Sequence, residues 1–362
     1  MNDFYQELVE AYYDARAHKR NTASQLKFEL NLEANLHQLY TDIVKRRYRL
    51  SPGIAFVITQ PLHREIFAAA FRDQIIHHLV FNRINPYWER KFIYDSYAGR
   101  TGKGTHFGIA RIKRFMRAST DNYTQTAWIL KLDILGYFMH IQQQAVWEKC
   151  LRQFREDPVP NSEIIQYLLR KIIFHHCTQN VHLKSSLSDW DDVPPDKSLF
   201  CLPPDQGFPV GNLTSHLFSN IYLHDFDCFV KYQLGFKYYG RYVDDFILID
   251  RDKSRLIAAK NAINEYLYQK LELQIHPRKI YLQPVAHGVE FLGAIIRPYY
   301  TLPGKRVVKN FRAFCYQYQR FNWNSVERQE LDRIWQSYVG QLSQFRSYHL
   351  LQAARLAISK HC

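Results

Sequence analysis

The chain has 362 residues, of which 46% are hydrophobic and 23% charged. At roughly 100–200 residues per domain this allows two or three compact units around a large core, and excludes a disordered tail or a small stapled scaffold. Lys and Arg outnumber Asp and Glu by 48 to 34, a formal charge of +14. On a folded protein that points to a polyanionic partner, but ribosomal, membrane-surface and ordinary soluble proteins share the balance, so chemistry has to decide.

In chain order, apolar residues from Phe4 to about Arg47 recur at helical spacing with a break around Lys19–Ser24, predicting two helices. Ser51-Pro52-Gly53 is a breaker; Ile54–Thr59 is β-rich, and Phe67–Asn82 is helical with Phe71, Ile75 and Leu79 on one side. DSYAGRTGKGT, ending at Thr105, is a glycine-rich basic loop, and a basic helix from Ile109 leads to an apolar strand, Trp128–Asp133. Helices are expected over Gln142–Gln153 and Ser162–Phe174. A long loop at about 177–206 follows, acid-rich and holding four prolines between Pro194 and Pro204. A helical pattern runs from Leu213 to about Tyr232, and strands Phe236–Gly240 and Phe246–Ile249 flank YVDD. A helix over Ser254–Lys270, strands over Leu273–Leu282 and Val289–Ile296, and a helical, aromatic and basic tail from Val307 complete the pattern.

The six cysteines are widely spaced with no Cys-x-x-Cys pair, so isolated thiols in a reducing compartment are expected. His77–His78 and His175–His176 lie outside any His-Glu-x-x-His frame and are expected to be structural or RNA-facing. No segment approaches the roughly 18 apolar residues of a membrane span, and a cytoplasmic protein with no membrane partner is expected.

Two carboxylate clusters stand at the ends of apolar strands: Asp133, and Asp244-Asp245 in the turn of a hairpin. Each alone is explained by the turn preference of aspartate, yet Asn-Gly or Asp-Gly is the low-energy hairpin turn, and two adjacent anions repel. Magnesium would compensate them, being a hard ion that takes carboxylate oxygens together with substrate phosphates. Two such ions about 3.5–4 Å apart stabilise both the attacking and leaving oxygens of an in-line phosphoryl transfer.

RYVDDFILI resembles the catalytic hairpin of reverse transcriptases, and LKLDILGYFMHI their first catalytic motif. REIFAAAFRDQIIHHLV, DSYAGRTGKGTH, GFPVGNLTSHLFSNIYL, LELQIHPRKIYLQPV and GVEFLG follow in the expected order from Arg64 to Gly293, and VGQLSQFRSYHLLQAARL resembles the thumb end. The resemblance is strongest to bacterial retroelement enzymes, above all those of diversity-generating retroelements, and to their relatives in anti-phage defence. It implies an α+β right-hand polymerase: an N-terminal helical extension (1–50), fingers (51–125), a palm with an antiparallel sheet (126–300) and a short helical thumb (301–362). The implied reaction is magnesium-dependent addition of dNTPs to a 3′ hydroxyl on a partner non-coding RNA template, with a DNA product or primer and with an accessory protein or homo-oligomer as a further partner. A catalytically quiet RNA-binding scaffold of the same fold is the other reading.

By the same resemblance Asp133 and Asp244 hold both metals with Asp245 in support, and the Ile134 carbonyl is a further ligand. Phe138 falls at the steric gate against a ribose 2′ hydroxyl or is simply core, and Gly136 and Tyr137 lie against the triphosphate. Arg64 clamps that triphosphate, while Arg72 is expected to be structural. Lys279 is a proton donor to pyrophosphate or a phosphate-binding lysine. Phe291-Leu292-Gly293 resembles the turn that grips the primer. In the loop touching the incoming base pair, Gln206-Gly207 puts Gly211 where a serine belongs; a shift of four residues gives Val210-Gly211-x-x-x-Ser215-His216. Val210 then stands where most relatives have glutamine, implying lower fidelity unless it is ordinary loop packing, and His216 departs from the diversity-generating pattern. Arg100, Lys103, Arg111, Lys113, Arg114 and Arg117 read as template-phosphate contacts or a solvated face. Arg312, Tyr316, Tyr318, Arg320, Trp323, Arg346 and Tyr348 interleave cations and rings suited to a hybrid groove or unpaired bases.

Overall fold

The computed structural model describes residues 3–17, 22–59, 63–320 and 325–359. The first half runs α1 (Asp3–Ala17), α2 (Ala23–Glu29), α3 (Leu32–Val44), β1 (Gly53–Ile58), β2 (Arg64–Ala68), α4 (Phe71–Lys91), α5 (Thr105–Ser119), β3 (Trp128–Asp133), α6 (Gln143–Glu156), α7 (Ser162–Ile173), β4 (Val181–Leu183) and α8 (Leu187–Asp191). The second half runs α9 (Leu213–Tyr222), α10 (His224–Cys228), β5 (Tyr238–Tyr242), β6 (Asp245–Asp250), α11 (Lys253–Leu271), β7 (Tyr281–Pro284), β8 (Val289–Phe291), β9 (Ala294–Ile296), β10 (Thr301–Pro303), α12 (Lys305–Arg320), α13 (Ser325–Leu342) and α14 (Tyr348–Ser359).

The organising element is an antiparallel sheet in the order β5-β6-β3-β7. Its central strands are covered on both faces, which is why WILKLD and FILI read as nearly unbroken apolar runs. Leu130, Leu132, Phe246 and Leu248 point into a large core shared with α1, α4, α6, α7, α9 and α11. Ile129, Ile247 and Ile249 point the other way, into a smaller core with α5, β8 and β9. Two three-stranded sheets flank it, β2-β1-β4 and β10-β9-β8, and α12–α14 form a separate aromatic cluster around Phe311, Phe314, Trp335 and Tyr338. This is the expected α+β architecture with an antiparallel central sheet.

Several expected elements differ. The N-terminal segment forms three helices, because α2 and α3 are separated at Leu30-Asn31. Arg64–Ala68 is a strand, not the approach to a helix: Glu65 and Phe67 alternate inward while the segment pairs with β1, and the helix starts only at Phe71. The Leu213–Tyr232 helix breaks at Leu223 and ends in a π-helical turn, Phe229–Gln233. Of Leu273–Leu282 only the end is strand, since Glu272 caps α11 in the left-handed region and Pro277 follows. Val289–Ile296 folds back on itself at Leu292-Gly293, both at positive φ, as the β8–β9 hairpin. The long loop is anchored: β4 adds to β1 in parallel, and Glu65 accepts the Leu199 amide at 2.9 Å and the Ser198 hydroxyl. Among the described residues the cysteines are free, and no helix is long and apolar enough to cross a membrane.

Candidate active site

The β3–β6 register sets Asp133 directly opposite Asp245, and cross-strand neighbours in an antiparallel pair lie about 4.5–5.5 Å apart at Cα. The Ile134 amide donates to the Asp244 carbonyl at 3.1 Å, tying the hairpin turn to the end of β3. Asp133 is thereby brought beside the adjacent Asp244 and Asp245, more than a hundred residues further along the chain, at one end of the two central strands. In the turn Val243 has φ 56°, a left-handed conformation that a β-branched residue adopts only when its surroundings enforce it.

What enforces it is Arg241, a residue whose role sequence reasoning missed. Its guanidinium is wholly buried (0% exposed). It donates to both Asp227 oxygens at 2.7 and 2.6 Å and to the Val243 carbonyl at 2.9 Å. Asp227, equally buried, also accepts the Tyr239 hydroxyl at 2.6 Å. A guanidinium that satisfies a carboxylate and a strained carbonyl at once fixes the turn that presents Asp244. The one sign of it in the sequence was a cation placed inside an otherwise apolar β-run.

The carboxylates carry more negative charge than the chain balances. Burial, followed by repulsion from Asp133, pushes Asp244 up to about 6, with Lys279 and Arg64 opposing. Burial likewise raises Asp245 to about 7 against the pull of Lys131. Lys279 spans both Asp133 oxygens at 2.9 and 3.0 Å. Lys131 reaches Asp245 at 3.0 Å and the Glu290 carbonyl at 2.8 Å. Asp245 Oδ1 is buried with no hydrogen-bond partner. As the side chains stand, no three His, Cys, Asp or Glu groups among the described residues converge on one point; two ammoniums occupy the cationic positions instead. The donor set fits hard divalent ions once the lysines yield, since it consists of carboxylate oxygens, one of them buried and unpartnered.

Around this centre Arg64 is exposed at the start of β2, and its charge is felt at Asp244. Ile134 is buried. Gly136 has φ 55°, and a Cβ there would stand 2.9 Å from the His140 ring. The half-buried Phe138 ring meets His216 edge-on at 5.9 Å. The Val210 carbonyl accepts the Phe67 amide at 2.9 Å, and Gly211, at φ 122°, lies so close that a Cβ would be 2.8 Å from the Phe67 carbonyl oxygen. These contacts seat the Val210-Gly211 loop on β2, the strand carrying Arg64. Arg72 pairs with Asp42 at 2.8 Å, the structural role expected of it.

Other expected contacts are corrected. Tyr137 is buried with its hydroxyl on the Ser219 carbonyl at 2.5 Å, so its side chain cannot lie against a triphosphate. Phe291 is core at 0% exposed, so of the expected primer-gripping turn only Leu292-Gly293, both half-buried, lies outside the core. Arg100, 8% exposed, is consumed by Glu89 at 2.9 Å and by the Ile93 and Ser96 carbonyls, and Arg111 by Asp95 at 2.6 and 3.0 Å. Lys103 donates to the Tyr94 carbonyl over the Tyr94 ring, with burial bringing its pKa down to about 8. The physical reason is that the glycine-rich loop docks on β5. The Tyr97 amide bonds the Arg241 carbonyl and the Arg241 amide the Asp95 carbonyl, each at 2.9 Å. A Cβ at Gly240 would meet the Tyr97 hydroxyl. Lys113, Arg114 and Arg117 remain exposed on α5. In the tail Tyr316 and Tyr348 are exposed, Tyr318 donates to Asp332 at 2.8 Å, Arg346 lies over Tyr300, and Trp323 falls outside the described residues.

Residues 63–296 match the family model described as reverse transcriptase (RNA-dependent DNA polymerase). The chain is 22% identical over 262 residues to Protein YkfC of Escherichia coli (strain K12), covering 64% of this chain and 62% of that one. In fold it is similar to apo telomerase from Candida tropicalis (TM-score 0.51, 14% identity, 90% of this chain and 64% of that). It is also similar to Candida albicans telomerase in complex with a fragment of telomeric RNA (TM-score 0.50, 12% identity, 91% and 64%). It spans less than two thirds of the length of each of these three proteins. With the carboxylate-bearing sheet and a family match over most of its length, this chain belongs to the reverse transcriptases, the RNA-dependent DNA polymerases.

Proposed function

We propose that this protein copies a partner non-coding RNA into DNA by adding dNTPs to a 3′ hydroxyl, with two magnesium ions held by Asp133 and Asp244, supported by Asp245 and the Ile134 carbonyl. The observation that carries the reading is the Asp133–Asp245 register pair beside the tethered Asp244 turn. Bound magnesium would activate the attacking hydroxyl and offset charge on the leaving pyrophosphate. The chain's own residues do the rest. Lys279 and Lys131, which pair with Asp133 and Asp245, would give way where ions bind, leaving Lys279 beside the leaving group as a proton donor. Arg64 clamps the triphosphate from β2, and the Phe138 ring, braced by His216, crowds a 2′ hydroxyl and so selects deoxynucleotides. Residues 51–125 act as fingers, 126–300 as palm and 301–362 as thumb.

The motif resemblance supports a role in a bacterial retroelement or an anti-phage system, and we propose the cytoplasm as its place. Sequencing the RNA that copurifies with the protein and the DNA it makes separates these settings. Primer extension on an annealed RNA template tests the chemistry. The wild type should extend, and Asp244→Ala should lose at least about a thousandfold in rate. No synthesis by the wild type in magnesium would replace the reading with an RNA-binding scaffold.

A further inference from the structure

Away from the carboxylates, a cleft of about 440 Å³ opens between the α3–β1 link and the C-terminal end of α7, within the roughly 300–1,000 Å³ range of ligand sites. Arg49 lines it from the link, Tyr167, Arg170, Lys171 and Phe174 from α7 and its cap, and His175, His176, Gln179 and Asn180 from the segment that follows. No carboxylate belongs to the lining. The arrangement is the reverse of the glycine-rich loop, where Glu89 and Asp95 consume the arginines. Here the cations rest on rings: Lys171 stands 5.8 Å from the Tyr167 centroid, and Arg170 stands 5.7 Å from that of Phe174. The Tyr167 hydroxyl is pinned to the Tyr48 carbonyl at 3.1 Å. Arg49, Arg170 and Lys171 are themselves exposed.

Cations of this kind take phosphates, flat rings take unstacked bases, and carboxamides read base edges. A lipid surface would call for exposed aliphatic bulk, and Leu50 is the one aliphatic residue in the lining. The cleft is rigidly connected to the nucleotide side of the molecule. The Asn180 carbonyl accepts the Gly53 amide at 3.3 Å at the head of β1, whose other end, Ile58, is the register partner of Arg64. At about 3.3 Å per residue the strand sets the cleft some 17 Å from Arg64. None of its lining residues lies on β3, β5 or β6.

We propose that this cleft is a second RNA site, holding an unpaired segment of the RNA outside the carboxylate centre; it rests on the reading of the chain as an RNA-copying polymerase. The test uses the full chain and a fluorescently labelled 12-nucleotide single-stranded RNA, with anisotropy titrations across salt concentrations. Changing Arg49, Arg170 and Lys171 together to Ala should weaken binding at least about tenfold and flatten the salt slope by about two, at roughly 0.7 for each phosphate no longer neutralised. Extension of a pre-annealed primer–template at saturating concentration should stay within about twofold. Photocrosslinks from 4-thiouridine RNA should map to the 167–180 peptide. Unchanged affinity and slope, or crosslinks confined to the β3 and β6 peptides, would overturn the site. So would wild-type binding to phosphatidylserine vesicles, abolished in the triple variant, with RNA affinity unmoved. A wild type that binds RNA through the cleft yet never extends a primer would sink the polymerase reading alone.

Discussion

The hairpin turn and the glycine-rich loop lie against each other, share the Arg241 backbone, and treat charge in opposite ways. In and beside the loop the two half-buried or buried arginines each have an acid: Arg100 has Glu89 and Arg111 has Asp95. At the turn three carboxylates face two lysines, one oxygen is left without a partner, and two of the acids are held near neutral pH. Matched charge builds the scaffold, and unmatched charge is where an incoming cation has work to do. That Arg241 and Asp227 belong to the first kind while steering the second is what joins the two regions.

The sharpest break of this comparison is Arg241→Met. It strands Asp227 as a buried, uncompensated anion and should cost about 3–5 kcal/mol in denaturant unfolding. Adding Asp227→Leu should recover most of that stability, but not the extension rate, because the Val243 carbonyl stays untethered. A double variant with wild-type rate would leave the tether without a function.

Next is the response to pH and metal. Asp244 and Asp245 have folded pKa values of about 6 and 7, above the ordinary aspartate value of 3.8. Their protonated forms therefore favour the fold below about pH 4, and this contribution is lost as the pH rises through 6–7. Metal-free protein should melt about 2–5 °C lower at pH 8 than at pH 5. Magnesium should restore the difference at pH 8, and Asp245→Asn should shrink both effects. A metal-free melting temperature that rises over that interval contradicts the unbalanced charge.

On the loop side, Arg111→Ala should lower stability by about 1–3 kcal/mol, since it takes the two guanidinium hydrogen bonds from the buried Asp95, while leaving the salt dependence of nucleic-acid binding nearly unchanged. Lys113→Ala with Arg114→Ala should do the opposite, leaving stability alone and reducing the salt slope by about one to two. Identical behaviour of the two sets would erase the distinction between matched and free cations.

The smallest expected effect is at Val210. Val210→Gln supplies a polar contact worth about 0.5–1.5 kcal/mol, so sequenced cDNA from a defined template should show a roughly two- to tenfold drop in substitutions. Equal error spectra would make Val210 a packing residue.

The catalytic sheet was legible because both faces of β3 and β6 are buried, which leaves long apolar runs, and because an Asp-Asp hairpin is too unfavourable to be casual. What stayed hidden was partner choice. Arg100 and Lys113 look alike as letters, and only the docking of Asp95–Gly99 on β5 makes one structural and the other free. Tyr137 was misread because its neighbours belong to a motif, whereas its hydroxyl belongs to the Ser219 carbonyl. The β2 strand was obscured by its run into Ala68-Ala69-Ala70, a helix-friendly sequence overruled by pairing with β1.

Lys131 and Lys279, resting on Asp245 and Asp133, act as built-in placeholders. Each carboxylate is thereby a contested partner: a cation arriving from solution has to displace one that is already tethered to the chain.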